Sequence, residues 1–135
     1  MEATAVWSED EIYNEINDHY RYMPSWFQNS AKPIDDESSH MYGSFIFFQY
    51  IDEHLGGYET IKNIWERSRS NANSVNDVSF TSINEALESV GSSFSGALNN
   101  MRIANRIMSS HQNADPFTYI EAESYPVTGP LEIAQ

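Results

Sequence analysis

"HMYGSFIFFQYIDEHLGG", residues 40–57, is the stretch on which the fold turns. From Phe45 to Ile51 apolar residues fill almost every position, a pattern that a buried helix and a buried strand satisfy equally. Two features decide between them. The run is longer than an ordinary strand, and it closes on Gly56-Gly57, a favoured stop signal at a helix C-terminus. It reads as a buried helix, and a buried helix needs helical partners on its flanks.

Both flanks supply them. Downstream, "YETIKNIWERSRS" (58–70) sets Tyr58, Ile61, Ile64 and Trp65 at helical spacing, with Glu59 early and Arg67 and Arg69 late, as the helix dipole favours. "NANSVNDVS" (71–79) reads as a polar linker. In "FTSINEALESVG" (80–91), Ser82 and Glu85 fit a capping box, Ile83, Ala86, Leu87 and Val90 form an apolar stripe, and Gly91 is the stop. "SFSGALNNMRIANRIM" (93–108) aligns Phe94, Leu98, Met101, Ala104 and Met108. Upstream, "MEATAVWSEDEIYNEIN" (1–17), continued to Tyr20, places Val6, Ile12, Tyr13, Ile16 and Tyr20 on one predicted face, against Glu9, Asp10, Glu11, Glu15 and Asn17 on the other. Between them, "RYMPSWFQNSAKPIDDESS" (21–39), with two prolines and many turn formers, reads as a long loop anchored by Trp26 and Phe27.

The expectation is an all-α fold of about five helices. It forms one helical unit over residues 1–125, followed by an extended tail, 126–135, in which Pro126, Gly129 and Pro130 forbid a long regular element. Thr118 and Glu121 suggest a second capping box ahead of a short helical turn. The 135 residues carry 40% hydrophobic residues, with seven Phe, eight Tyr and three Trp, a composition that packs a core.

Charge argues against one class of partner. Twenty acidic residues against seven basic ones give a net charge of −13, which repels phosphate backbones and anionic lipid and offers no basic patch for nucleic acid. The longest apolar run, Met41 to Ile51, is too short for a membrane span. No cysteine is present, so no disulfide, thiol nucleophile or cysteine-bound zinc exists, and the compartment stays open on that ground.

The chain contains no H-E-x-x-H pair, P-loop, dinucleotide glycine fingerprint or G-x-S-x-G elbow. Its four histidines are His19, His40, His54 and His111. On a continuous helix Glu11, Glu15 and His19 would share a face and could clasp a metal; a solvated polar face accounts for the same spacing.

"MEATAVWSED", followed by "MYGSFIFFQYIDEHLGGYETIKNIWE", resembles the region downstream of the zinc-binding helix in gluzincin metallopeptidases of the peptidase MA-like group. Within that group it is most similar to large, mostly secreted bacterial and archaeal metalloproteases. The resemblance runs from about Glu2 to Met108, and "PFTYIEAESYP" is similar to what closes the region. It implies the C-terminal helical part of a zinc metallopeptidase, N-terminally truncated, whose missing partner is the half bearing H-E-x-x-H. It also implies a protein or peptide substrate and an extracellular or cell-surface location.

Residue by residue, Glu2 matches the glutamate that is the third zinc ligand, and Ala5 the small residue that lets this helix approach the metal-bearing one. Where some members place an aspartate that orients a zinc-bound histidine, this chain has Val6. Tyr42 lies near the tyrosine that donates to the developing oxyanion, and His40 is a neighbouring candidate. Without the resemblance, Glu2 is an ordinary first-turn acid favoured by the helix dipole, and Tyr42 a core aromatic. Zinc in the full-length protein would activate the hydrolytic water; this chain alone is expected to be inactive and to expose the apolar face its absent half covers. The alternative is a non-catalytic helical module that binds a protein or peptide through its aromatic surface.

Overall fold

The computed structural model of the protein describes residues 2–38, 40–71, 78–111 and 115–127. Among these the fold is all-α, with no strand. Seven α-helical segments follow in order: α1 (Glu2–Ile12), α2 (Met23–Gln28), α3 (His40–Gly43), α4 (Phe45–His54), α5 (Tyr58–Asn71), α6 (Val78–Glu88) and α7 (Phe94–Ile107). Short 3₁₀ turns occupy Asp18–Tyr22 and Ala122–Ser124.

The decisive stretch is helical and central. Phe45, Ile46, Phe47, Tyr50 and Ile51 of α4 are fully buried, and each aromatic or aliphatic side chain so enclosed contributes about 1.5–3 kcal/mol relative to exposure. Helix α4 packs against α1, α5 and α7, while α5 and α6 form the most extensive helix pair. The chain leaves α4 through Gly56 and Gly57 at φ 96° and 75°, values that a side chain rarely tolerates, so the predicted stop is also the bend that turns α5 back onto the core. Gly43 works differently: a Cβ there would lie 2.5 Å from the Trp26 side chain, so its bareness lets α3 seat against α2.

Several expected boundaries move. Helix α1 ends at Ile12 and does not run on toward Tyr20: Ile12, Tyr13 and Ile16 are 69%, 60% and 53% exposed. The buried stripe is instead Ala3, Val6, Trp7 and Asp10, at i, i+3, i+4 and i+7, and the Asn and Asp residues beyond Ile12 favour turns over helix. The predicted loop 21–39 contains α2, which starts next to Pro24 and buries Met23 and Trp26, so the aromatic anchor holds but on a helix.

Helix α6 begins at Val78, which leaves Ser82 in its interior, fully buried, rather than at a cap. Of its predicted stripe Ile83, Ala86 and Leu87 are buried, whereas Val90 lies beyond the helix end, exposed. The cap that does form belongs to α7, where the Ser93 side chain accepts the Gly96 amide. Thr118 and Glu121 make no box; the short helical turn exists, and Glu121 caps it without a side-chain bond. Of the linker, residues 72–77 lie outside the described residues, as do 128–135 of the expected tail. Among the described residues, no helix is long and apolar enough to cross a membrane.

Candidate functional site

Helix α1 carries two candidate sites, one at each end. At its start, Glu2 and Ala5 are exposed, on the side away from the buried Ala3, Val6 and Trp7. A groove of about 500 Å³ runs beside them, walled by Glu2, Thr4, Ala5, Trp7 and Ser8 on α1 and by Tyr58, Ile61, Lys62 and Trp65 on α5. Tyr58 and Trp65 are 62% and 42% exposed, so the predicted α5 face is split: Ile61 and Ile64 fill the core while the two aromatics open to the groove. Among the described residues, Glu2 belongs to no group of three metal-ligating side chains, and a lone exposed carboxylate does not hold zinc by itself.

Tyr42 sits on α3 with its ring stacked on Tyr22 at 5.1 Å, and is half-buried. His40, one turn from α4, is buried and stacked on Trp26 at 5.4 Å; burial pushes its imidazole below the usual histidine range.

At the other end of α1 the arrangement is enclosed. Because α1 stops at Ile12, Glu11, Glu15 and His19 share no helical face. His19 instead sits in the 18–22 turn, buried with its ring edge against Tyr20 and Phe45, and meets Asp10 from the last turn of α1. His19 Nε2 lies 3.5 Å from Asp10 Oδ1, with side chains 2% and 6% exposed. At that separation neither atom is hydrogen-bonded, and both are cut off from solvent. Glu121 completes the group: one ligand atom from each of the three residues lies within 4.8 Å of the others.

The carboxyl-terminal segment reaches this place because α4 tethers it. The Tyr50 hydroxyl donates to the Pro116 carbonyl at 3.0 Å, His54 Nε2 lies 2.7 Å from the Thr118 carbonyl, and the Ile120 amide donates to Glu53 Oε2 at 3.0 Å. Tyr119, fully buried, donates from its hydroxyl to Asn105 of α7 at 2.6 Å. The Tyr20 hydroxyl then donates to Glu121 Oε2 at 3.3 Å, and Tyr125 packs its ring on Tyr20.

Electrostatics here follow burial. Desolvation, with the charges of Glu121 and Glu53 behind it, pushes the Asp10 carboxyl up to about 6. Burial holds His19 below the usual histidine range against the opposing pull of Asp18. Burial and the neighbouring Glu121 push the Tyr20 hydroxyl up to about 12. Next to this cluster Glu11 rises to about 7, through desolvation first and then the charge of Asp52, with which it shares a hydrogen bond.

Sequence reasoning singled out His19 but gave it the wrong partners, and saw Glu121 only as a cap. It placed Asp10 on the polar face. One signal was legible: Asp10 stands one turn past Val6 and Trp7, so an acid occupies a position on the apolar stripe. No protein-family model, no curated protein and no solved structure matches this chain.

Proposed function

We propose that this chain is the C-terminal helical portion of a zinc-dependent metallopeptidase-like protein, with Glu2 offering its one carboxylate to a centre whose histidines and general base come from a segment bearing H-E-x-x-H. The observation that carries the reading is the joint exposure of Glu2 and Ala5 beside the apolar α1/α5 groove. Ala5 leaves room for a second helix to approach closely, Tyr58 and Trp65 give that helix an apolar seat, and Glu2 stands at its edge. Zinc, when bound by the completed set, polarises a carbonyl and acidifies its water. By itself the chain supplies one ligand and is inactive. Substrate is protein or peptide, and the extracellular or cell-surface setting follows the resemblance. Tyr42 is proposed, with it, as an oxyanion donor.

The test begins with the DNA upstream of the Met1 codon. An in-frame H-E-x-x-H within roughly a hundred codons supports the proposal, and the joined protein should bind zinc and lose that zinc with Glu2→Ala, the third ligand of a three-residue set. A stop codon and ribosome site immediately upstream sinks it.

A second reading is favoured by a different feature. A groove of about 820 Å³ between α2 and α7 has Trp26, Phe27, Ile34, Leu98 and Met101 among its lining and Lys32, Arg102 and Arg106 at its rim. These are three of the seven basic residues of a chain with net charge −13, gathered over an apolar floor. Such a surface suits an acidic amphipathic peptide, the non-catalytic interaction module. Binding of an acidic Leu-rich peptide that weakens with salt and with Arg102→Glu/Arg106→Glu supports this reading; salt-independent binding, or none, removes it.

A further inference from the structure

We infer that Asp10, His19 and Glu121 form a binding site for one divalent transition-metal cation of the zinc class, which clamps the carboxyl-terminal segment to the end of α1. The site is independent of Glu2, which lies at the other end of the helix and joins no such group among the described residues.

Three separate elements converge on it: the last turn of α1, the 18–22 turn and the residues just before the 122–124 turn. The 3.5 Å between Asp10 Oδ1 and His19 Nε2 is not bridged by a hydrogen bond. It nearly equals the edge of a tetrahedron with metal–ligand distances of about 2.1 Å, which is about 3.4 Å. The Glu121 carboxylate, within 4.8 Å of both, closes the set with a small side-chain movement on a half-buried turn.

Burial makes the pair require a partner. Asp10 and His19 are each more than nine-tenths enclosed, yet the two atoms that face each other satisfy no other group. The charge balance fits as well: two carboxylates and a neutral imidazole cancel a dication, whereas without one Asp10 and Glu121 repel each other with Glu53 alongside. The donor set selects the metal class, because an imidazole with two carboxylates suits zinc and its first-row neighbours, while calcium takes six to eight oxygens. The Tyr20 hydroxyl, bonded to Glu121 Oε2, fixes the orientation of that carboxylate.

The test is titration of the metal-free full chain with zinc chloride in excess magnesium, which saturates the acidic surface, read by calorimetry and by thermal melting. One equivalent of zinc is expected to bind and to raise the melting temperature. Glu121→Gln, on the half-buried turn, should weaken binding at least about tenfold, and His19→Phe, which keeps a ring against Phe45, should abolish it. Glu2→Gln should leave it unchanged, which separates this site from the metallopeptidase proposal. Cobalt in place of zinc should give the intense visible bands of a four-coordinate nitrogen and oxygen site. Absence of a stoichiometric site, or uptake that Glu121→Gln leaves intact, overturns the inference, and the Glu121 variant decides even if His19→Phe fails to fold.

Discussion

At its amino end α1 turns Glu2 and Ala5 outward beside a groove whose apolar walls nothing in the chain's described residues covers. About 12 Å further along the axis the same helix turns Asp10 inward, where a histidine and the carboxyl-terminal segment enclose it. Both ends present a carboxylate, but their physics differs. The outer one costs nothing to leave alone, because water solvates it and the helix dipole favours it. The inner one has lost its water, so its protonation and its contact with His19 are coupled to folding. An exposed acid therefore needs no partner, whereas a buried one is something the fold has to accommodate.

The comparison can be broken most severely at Trp7, which belongs to the core and also lines the groove. Trp7→Ala is expected to cost about 3–5 kcal/mol in urea unfolding, with both ends affected. A loss below about 1 kcal/mol would mean that α1 is held mainly by other contacts.

At the inner end, the pH dependence of the metal-free protein is the sharper probe. The Asp10 carboxyl titrates from 3.8 in the unfolded chain to about 6 in the folded one, so the folded state retains a proton that the unfolded state has released. Stability is present at low pH and is lost as pH rises through that window; Glu11, moving from 4.5 to about 7, extends the loss upward with a smaller share because it is exposed. Asp10 and Glu11 should together make the melting temperature higher at pH 5 than at pH 7.5, with His19 and His40, which burial holds below the usual histidine range, opposing part of that slope. Asp10→Asn should flatten that slope even with His19, Glu53 and Glu121 still facing the site. A slope that Asp10→Asn leaves unchanged would show that the inner end carries no such strain.

Tyr50→Phe removes the hydroxyl bonded to the Pro116 carbonyl and should cost about 1 kcal/mol, read by chemical denaturation, with faster amide exchange over residues 115–125. Unchanged exchange there would mean that Glu53 and His54 alone hold the segment in place. The smallest effect belongs to the outer end: Glu2→Ala should change stability by less than about 0.5 kcal/mol, because that side chain makes no buried contact. A larger loss would place Glu2 in the fold instead of at a waiting edge.

How much of this was legible follows from what each residue needs. The α5 and α7 stripes were readable because Ile61 and Ile64, or Met101 and Ala104, repeat at helical spacing and are buried for that reason. The first helix was misjudged because Ile12, Tyr13 and Ile16 imitate such a stripe past the point where the chain turns. Ser82 has the letter of a cap and the location of a core residue. The Asp10–His19–Glu121 group was illegible because its members are separated by nine residues and then by a hundred and two, and no local rule links them.

By itself the sequence determined the helical class, the buried central stretch Phe45–Ile51 and the double-glycine stop, since periodicity and backbone freedom act locally. Only the tertiary structure decided which carboxylate is enclosed and which is open. That depends on Tyr50, Glu53 and His54 drawing the carboxyl-terminal segment across the end of α1, and desolvation is a property of what the fold brings together.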